Sequence, residues 1–276
     1  MDDGRFVEVE GVRLHYVERG SGEPVLLLHG WPTSSYLWRG VVGAIGERNR
    51  AIALDLPGYG RSDKPLDGSY SFRFNERILD GFLAELGVDH VGLAVHDIGG
   101  PIGLYWATQH PERLTRLALL NTIVYSRPSL AVVAFLVAAR MPGVRSAMTS
   151  PAGLRWVMRY GVNDKARMTD EVIRAYQEPF RTREARRALQ KAGAGLHPGG
   201  MREIERWLPR AGVPVRIVYG AGDRILPDVE RTMRKVERDV GGAEVTRLED
   251  CGHFLQEERP DEIGSILAEF FSAHTP

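Results

Sequence analysis

The sequence is poor in three things that mark other classes of protein: cysteine, net charge and long apolar runs. A single cysteine, Cys251, cannot form an internal disulfide. The start of the chain, Met1 to Arg5, lacks the basic segment and apolar core of a secretory signal peptide. We therefore expect a soluble cytoplasmic protein.

The charged residues balance, with 36 Lys and Arg against 36 Asp and Glu. This balance removes the long-range electrostatic reason to expect a nucleic acid or an anionic membrane as partner. The most apolar stretch, Leu130 to Ala139, has about half the ~20 residues that a helix needs to cross a bilayer. We expect it to form a buried helix, and we expect the partners to be a small hydrophobic organic substrate and water.

Short apolar runs alternate with segments of helical period along most of the chain, after an antiparallel hairpin predicted around Gly11. Continuous apolar strands separated by helices indicate a mostly parallel sheet with helices on both faces, which we expect to have eight strands. The predicted strands after the hairpin are Pro24 to Leu28, Ala51 to Leu54, Val91 to Val95, Leu117 to Leu120, Val215 to Tyr219 and Glu244 to Leu248.

The alternation stops between about Asn121 and Pro214, where helical segments follow one another without a convincing strand. Helices inserted between consecutive strands of such a sheet lie over the carboxyl ends of the strands, where open α/β sheets bind ligands. We therefore expect residues 1–121 and 214–276 to form an α/β core, and residues 122–213 to form a helical cap.

The segment Val91 to Gly100 places an apolar strand, then Asp97, then two glycines before a helix, which is the pattern of a nucleophile elbow. Such a turn is tight, so the second residue after the nucleophile must be small, as Gly99 is. A carboxylate at this position attacks a saturated carbon more naturally than an acyl carbon. The alternative is that Asp97 is only a helix N-cap, for which aspartate is favoured.

An acid and a histidine follow in the order that this arrangement requires. Asp223 comes after one predicted strand and His253 after the next. His253 is expected to act as the general base on water, with Asp223 orienting its ring and stabilising the imidazolium. Taken alone, each residue could equally belong to an ordinary turn or cap, but three matches in order favour a catalytic triad.

The segment His29-Gly30-Trp31-Pro32 follows the strand expected to lie beside the elbow. The backbone N–H groups of Trp31 and Ile98 are predicted to form an oxyanion hole, although the Trp31 ring could also serve packing. The histidines show no metal-ligand spacing, so neither a metal nor another cofactor is expected. Among the other candidates, Cys251 is more consistent with a small buried residue and His96 with a hydrogen-bonded structural group.

These residues resemble the haloalkane dehalogenase and epoxide hydrolase branch of the α/β hydrolases, nearly from end to end and least in the cap. Val95, two residues before the expected nucleophile, also resembles the dehalogenases, because epoxide hydrolases usually have a glycine at this position. Asn121 cannot serve as the acid, so the resemblance is to the subgroup whose acid follows the later strand. It implies an α/β-hydrolase fold and hydrolysis through an ester on Asp97. The segments that carry it are His29-Gly30-Trp31-Pro32-Thr33-Ser34-Ser35-Tyr36-Leu37-Trp38-Arg39, Asp63-Lys64-Pro65 and His253-Phe254-Leu255-Gln256-Glu257.

The chain departs from the dehalogenase pattern at two positions. Dehalogenases carry a tryptophan directly after the nucleophile, whose indole N–H holds the leaving halide, whereas this chain has Ile98. Many also have an asparagine where this chain has Trp31. An aliphatic side chain donates no hydrogen bond, so Trp31, or Trp156 or Trp207 of the cap, would have to replace the missing donor.

The leading hypothesis is a haloalkane dehalogenase-like hydrolase, and the first alternative is an epoxide hydrolase with the same triad. Epoxide opening needs a proton donor from the cap instead of a halide site, and tyrosines usually supply it. The candidates are Tyr125, Tyr160 and Tyr176. A third alternative is a binding protein that kept the fold and lost turnover, against which the complete triad argues.

Overall fold

The computed structural model describes residues 4–127, 130–138, 141–196 and 198–273. Ala139, the last residue of the predicted apolar helix, lies outside these ranges, as do Met1 to Asp3.

A central sheet of eight strands has the order β1-β2-β4-β3-β5-β6-β7-β8. The second strand pairs antiparallel with β1 and β4, and every other neighbouring pair is parallel. The predicted hairpin and mostly parallel sheet are therefore confirmed. The strands are β1 Arg5–Val9, β2 Val12–Arg19, β3 Pro24–Leu28, β4 Arg50–Leu54, β5 Val91–Asp97, β6 Leu114–Thr122, β7 Val215–Gly220 and β8 Glu244–Leu248.

Helices cover both faces of the sheet because successive residues of a buried strand point to opposite faces. In β3, Leu26 and Leu28 pack in one core cluster with α2 and α3, whereas Val25 and Leu27 pack in a second cluster with α1 and α12. The helices of the core are α1 Val42–Gly46, α2 Phe72–Glu85, α3 Gly99–Gln109, α10 Val229–Val240, α11 Leu255–Glu258 and α12 Pro260–Ser272.

Six α-helices are described between β6 and β7, in the segment predicted to form the cap. Hydroxyl side chains begin three of them: Ser150, Thr169 and Thr182 each accept a hydrogen bond from a backbone N–H of the first turn. The helices are α4 Leu130–Ala138, α5 Pro142–Met148, α6 Pro151–Tyr160, α7 Asp170–Gln177, α8 Arg183–Ala194 and α9 Pro198–Trp207.

The apolar stretch from Leu130 forms the helix α4, but the prediction that this helix is buried is wrong. Leu130 is 87% exposed and Val137 is 56% exposed, whereas Val132 is buried. The stretch from Leu130 to Ala138 is apolar throughout, so burial of the side that carries Val132 leaves the apolar side chains of the opposite side in contact with solvent.

Within the described ranges, no helix has the length and apolar character required to cross a membrane.

Candidate active site

Asp97 is the last residue of β5 and has a left-handed backbone conformation, with φ 51°. This conformation is uncommon for a residue with a side chain and is retained where surrounding structure imposes it. The hydroxyl of Thr122 donates to the Asp97 carbonyl at 2.5 Å. A side chain at Gly99 would overlap the backbone carbonyls of Leu28 and His29, so the tight turn requires glycine there.

The Asp97 carboxylate lies at the amino end of α3 and receives backbone hydrogen bonds. Ile98, not Asp97, is at the N-cap position of α3. Trp31 N–H donates to Asp97 Oδ1 at 2.8 Å, and the Ile98 N–H group helps to hold the pKa of this carboxylate below its ordinary value. A side chain at Gly30 would overlap the carboxylate, so glycine there allows the Trp31 amide to approach. The two amides predicted as an oxyanion hole therefore both contact Asp97.

His253 lies between two carboxylates and is fully buried. Its Nδ1 donates to Asp223 Oδ2 at 2.8 Å, and its Nε2 lies 3.4 Å from Asp97 Oδ2. Burial alone would lower the pKa of this imidazole, but the negative charges of Asp223 and Asp97 outweigh burial and raise the pKa to about 10. The three residues predicted as a triad are thus adjacent, with His253 in the middle.

The pKa of Asp97 moves in the complementary direction. Burial would raise it, but the close approach and positive charge of His253 hold it below its ordinary value. Asp97 is therefore ionised near neutral pH, which is the state a nucleophile needs.

Asn121 holds Asp223 in place and was missed as a functional residue by the sequence analysis, which considered it only as an acid. Its Nδ2 donates to Asp223 Oδ2 at 2.7 Å and to the Gly252 carbonyl at 3.2 Å, and its Oδ1 accepts from Gly220 N–H at 2.9 Å. The remaining Asp223 oxygen, Oδ1, accepts from two backbone N–H groups, those of Ile225 and Leu226. In the sequence, the only indication of this role is a polar residue near the end of the strand that precedes the one followed by Asp223.

His96 supports the loop that carries His253. Its Nε2 donates to the His253 carbonyl at 2.8 Å, so the ring is hydrogen-bonded and structural in this arrangement. Burial, reinforced by the nearby His253 charge, lowers the pKa of His96 to about 3. His96 therefore stays neutral while its neighbour carries the proton.

The predicted cap segment contacts the same loop at the turn after α6. His253 N–H donates to the Gly161 carbonyl at 2.6 Å. The buried Glu258 carboxylate accepts from Gly252 N–H at 2.6 Å, and from the N–H groups of Asn163 and Asp164 at 2.9 and 2.8 Å. Glu258 therefore joins the His253 loop to the cap segment, a role that no local pattern in the sequence indicates.

Two of the three candidate cap tyrosines have their hydroxyls bonded elsewhere. Tyr125 donates to Asp239 at 2.8 Å, and Tyr176 donates to Glu257 at 2.5 Å. Tyr160 is 39% exposed and stacks on the ring of Trp156.

The candidate tryptophans lie in different environments. Trp156 is 61% exposed, and Trp207 is partly buried against the core. Gly193 of α8 lies close to the Trp31 indole, and a Cβ atom at this position would come within 3.1 Å of the ring.

A pocket borders the site where β6 and β7 end. Its wall includes Thr122, whose hydroxyl donates to the Asp97 carbonyl. It also includes Leu226, whose backbone N–H donates to the Asp223 carboxylate. The lining is polar and apolar in about equal measure, and it includes Val132 of α4; its other members are Ile123, Val124, Tyr125, Arg127, Asp228, Val229 and Thr232. Within the described ranges, no group of three or more ligand-type side chains could hold a metal ion.

Residues 23–260 match the model of the alpha/beta hydrolase fold family, and the chain belongs to that family. It is an α/β-fold hydrolase of the branch that includes haloalkane dehalogenases and epoxide hydrolases. It is 30% identical to a haloalkane dehalogenase of Agrobacterium fabrum over 93% of this chain and 88% of that protein. It is also 30% identical to a cis-3-alkyl-4-alkyloxetan-2-one decarboxylase of Shewanella oneidensis, over 97% and 87% of the two chains. The solved epoxide hydrolase CorEH superposes with a TM-score of 0.84 at 26% identity, over 98% of each chain.

Proposed function

We propose that Asp97 is the nucleophile of a two-step hydrolysis that passes through an ester on its own side chain. The observation that carries the proposal is the arrangement around its carboxylate. One oxygen accepts from the Trp31 amide at 2.8 Å, and the other lies 3.4 Å from His253 Nε2. Such an anion is oriented and ionised, and it lies beside the histidine that becomes the general base of the second step.

In the first step Asp97 Oδ2 forms a bond to a saturated carbon, and the leaving group departs with its bonding electrons. Esterification removes the negative charge of Asp97, which is one of the charges that raise the pKa of His253. The imidazole then gives up its proton more readily and becomes able to act as a base.

In the second step His253 takes a proton from water, and the hydroxide formed attacks the acyl carbon of the ester. The negative charge that develops on Oδ1 is stabilised by the N–H groups of Trp31 and Ile98. Collapse of this intermediate expels the product alkoxide, which takes the proton from His253. The carboxylic acid left on Asp97 then gives its proton to His253, which restores the starting ion pair. Asp223, held by Asn121, stabilises the imidazolium in between.

We propose a small apolar haloalkane as the first substrate class to test, because the chain matches a haloalkane dehalogenase over most of its length. Ile98 offers no side-chain donor for a halide. By analogy with oxyanion holes, a missing donor costs roughly 2.7 to 4 kcal/mol, so we expect dehalogenation to be slow.

A strained oxygen ring is the second candidate. Opening an epoxide leaves an alkoxide that needs a proton donor, and the hydroxyls of Tyr125 and Tyr176 donate to other carboxylates. Opening an oxetan-2-one by attack at the carbon bearing the ring oxygen leaves a carboxylate instead, which needs neither a strong donor nor a halide site. The similarity to an oxetan-2-one decarboxylase makes this ring the better of the two.

Single turnover in ¹⁸O-labelled water tests the nucleophile. Water attacks the acyl carbon, so we expect label in the Asp97 carboxylate and unlabelled oxygen in the first product. Label in the product alone would show direct attack by water and contradict the proposal. The matched control is Asp97→Asn, which keeps the shape but lacks the nucleophile and should take up no label.

A substrate panel tests the leaving group, with a bromoalkane, an epoxyalkane and a dialkyl oxetan-2-one of matched chain length. Bromide release and ring opening are followed separately. Turnover of the bromoalkane above the Asp97→Asn background supports dehalogenation. Turnover of the oxetan-2-one alone supports the second candidate. Turnover of the epoxide alone would instead favour an epoxide hydrolase in which a cap tyrosine donates the proton.

A further inference from the structure

Two segments that carry the family resemblance meet in the fold, at residues that the proposed mechanism does not use. Arg39 ends the segment that begins at His29, and Glu257 ends the segment that begins at His253. Arg39 donates through Nη1 and Nη2 to the two oxygens of Glu257, at 2.5 and 2.6 Å. Because two parallel hydrogen bonds fix both distance and orientation, this contact ties the segment of the Trp31 amide to the segment of His253.

Tyr176 of α7, in the predicted cap segment, joins the same carboxylate. Its hydroxyl donates to Glu257 Oε1 at 2.5 Å, and both side chains are buried. Burial and the Glu257 charge raise the pKa of Tyr176 well above its ordinary value, so the hydroxyl keeps the proton that it donates. A tyrosine that the sequence suggested as an acid for epoxides therefore binds a carboxylate four residues after His253.

Aromatic packing closes the group formed by Arg39, Glu257 and Tyr176, which we call the clasp. The Arg39 guanidinium lies over the Tyr36 ring, 4.0 Å from its centroid, and the Tyr36 ring meets the Tyr176 ring edge-on. The Arg39 side chain is 23% exposed and that of Glu257 only 2%. Salt therefore screens this ion pair less than it screens a pair at the surface.

The clasp holds α11, the short helix that follows His253. This helix has four residues, and a single helical turn is not stable by itself in water. Its position is therefore set by contacts with neighbouring segments. Among these contacts are the clasp on Glu257 and the backbone amides after α6 that donate to Glu258. Both contacts join α11 to the predicted cap segment.

The turn after α6 lies directly against the loop of His253. A Cβ atom at Gly252 would come within 2.4 Å of the Gly161 carbonyl oxygen, and one at Gly161 would come within 2.4 Å of the Phe254 ring. The Gly161 carbonyl also accepts from His253 N–H at 2.6 Å. Because no gap separates the two segments, a shift of the predicted cap segment would move the residues on both sides of His253.

We infer that the clasp positions His253 against Asp97 and does so only while the predicted cap segment is closed on the core. The inference rests on the proposed function for the role of His253 as base. When the clasp opens, α11 loses its hold on α7, and His253 leaves the carboxylate that lies 3.4 Å from its Nε2. Closure of the cap segment and assembly of the catalytic residues are then a single event.

Hydrogen–deuterium exchange tests this coupling without any turnover. Tyr176→Phe keeps the ring and removes only the hydroxyl that donates to Glu257. Loss of a hydrogen bond to a charged group shifts an opening equilibrium by roughly 10- to 100-fold. We therefore expect the amides of residues 161–164 and of residues 252–254 to exchange faster by about this factor, and to do so together.

The pKa of His253 supplies a second measurement, which a purely structural contact would not change. Arg39→Gln removes the double hydrogen bond to Glu257. Loss of a positive charge would by itself raise the pKa of His253, so a fall can come only from movement away from Asp97. We expect nitrogen-15 NMR to show a pKa below the value of about 10 that the unmodified site has.

Two matched controls alter the same kinds of contact elsewhere. Tyr125→Phe removes a tyrosine hydroxyl that donates to a carboxylate, that of Asp239, at 2.8 Å. Arg113→Gln removes a partly buried arginine that is paired with Asp80. Neither residue contacts α11 through a described hydrogen bond or ion pair, so the exchange of both segments and the pKa of His253 should stay as in the unmodified protein.

Three results would overturn the inference. Faster exchange confined to α7 would show that Tyr176 anchors only its own helix, and unchanged exchange would show that its hydroxyl is not needed. A His253 pKa that stays or rises in Arg39→Gln would show that the clasp does not position the base. If Arg39→Gln fails to fold, exchange in Tyr176→Phe decides. Because none of these measurements requires turnover, absence of ¹⁸O label from Asp97 would count against the nucleophile and not against the coupling.

Discussion

Replacement of Asp97 by asparagine offers a direct test of the electrostatic coupling that the mechanism requires. The change keeps the shape of the side chain and removes its charge, as esterification does. His253 lies between Asp223 and Asp97, whose charges raise its pKa to about 10. If the proposal is right, Asp97→Asn should make this imidazole markedly easier to deprotonate.

The size of the effect follows from the geometry. Two unit charges 3.4 Å apart, the distance from His253 Nε2 to Asp97 Oδ2, interact by about 5 kcal/mol at an effective dielectric constant of 20. That energy corresponds to at most about 3.5 pH units. Asp223 remains in the variant at 2.8 Å and contributes more, so we expect a His253 pKa between about 7 and 9.

Nitrogen-15 NMR of the histidine side chains across pH 5 to 11 measures this value, with the resonance assigned by its loss in His253→Gln. Asp223→Asn is the matched control and should lower the pKa further, because the larger of the two charges is removed. A pKa that stays near 10 in Asp97→Asn would refute the idea that ester formation switches His253 into a base.

Four further results are expected. His253→Gln should let the ester on Asp97 accumulate, and intact-protein mass spectrometry should detect the adduct. Ile98→Trp should raise bromide release without raising oxetan-2-one opening; unchanged bromide release would place the halide site elsewhere. Glu258→Gln should lower the free energy of unfolding in urea by about 1 to 3 kcal/mol, since a buried acceptor of three N–H groups is weakened. Because the folded pKa of His253 exceeds its unfolded value of 6.5, unfolding free energy should fall from pH 6.5 to 10.

Local patterns in the sequence determined most of the sheet. A continuous apolar run predicted β3 with the bounds that the structure has, Pro24–Leu28. The late strand predicted after the resumed alternation of strand and helix also has the observed bounds, Glu244–Leu248. The order of Asp97, Asp223 and His253 at strand ends predicted that they would lie together, because parallel strands end at the same edge of a sheet. These signals are local in the chain, so they are visible without the fold.

The tertiary structure alone decided which side chains support these residues and which surface stays exposed. The contacts of Asn121 with Asp223 and of Glu258 with Asn163 span about a hundred residues each, so no local pattern reveals them. Likewise, apolar composition predicted a buried helix at Leu130, whereas burial depends on the area that neighbouring elements can cover. Only the packing of α4 through Val132 shows that its opposite side, which carries Leu130, Val133 and Val137, faces solvent.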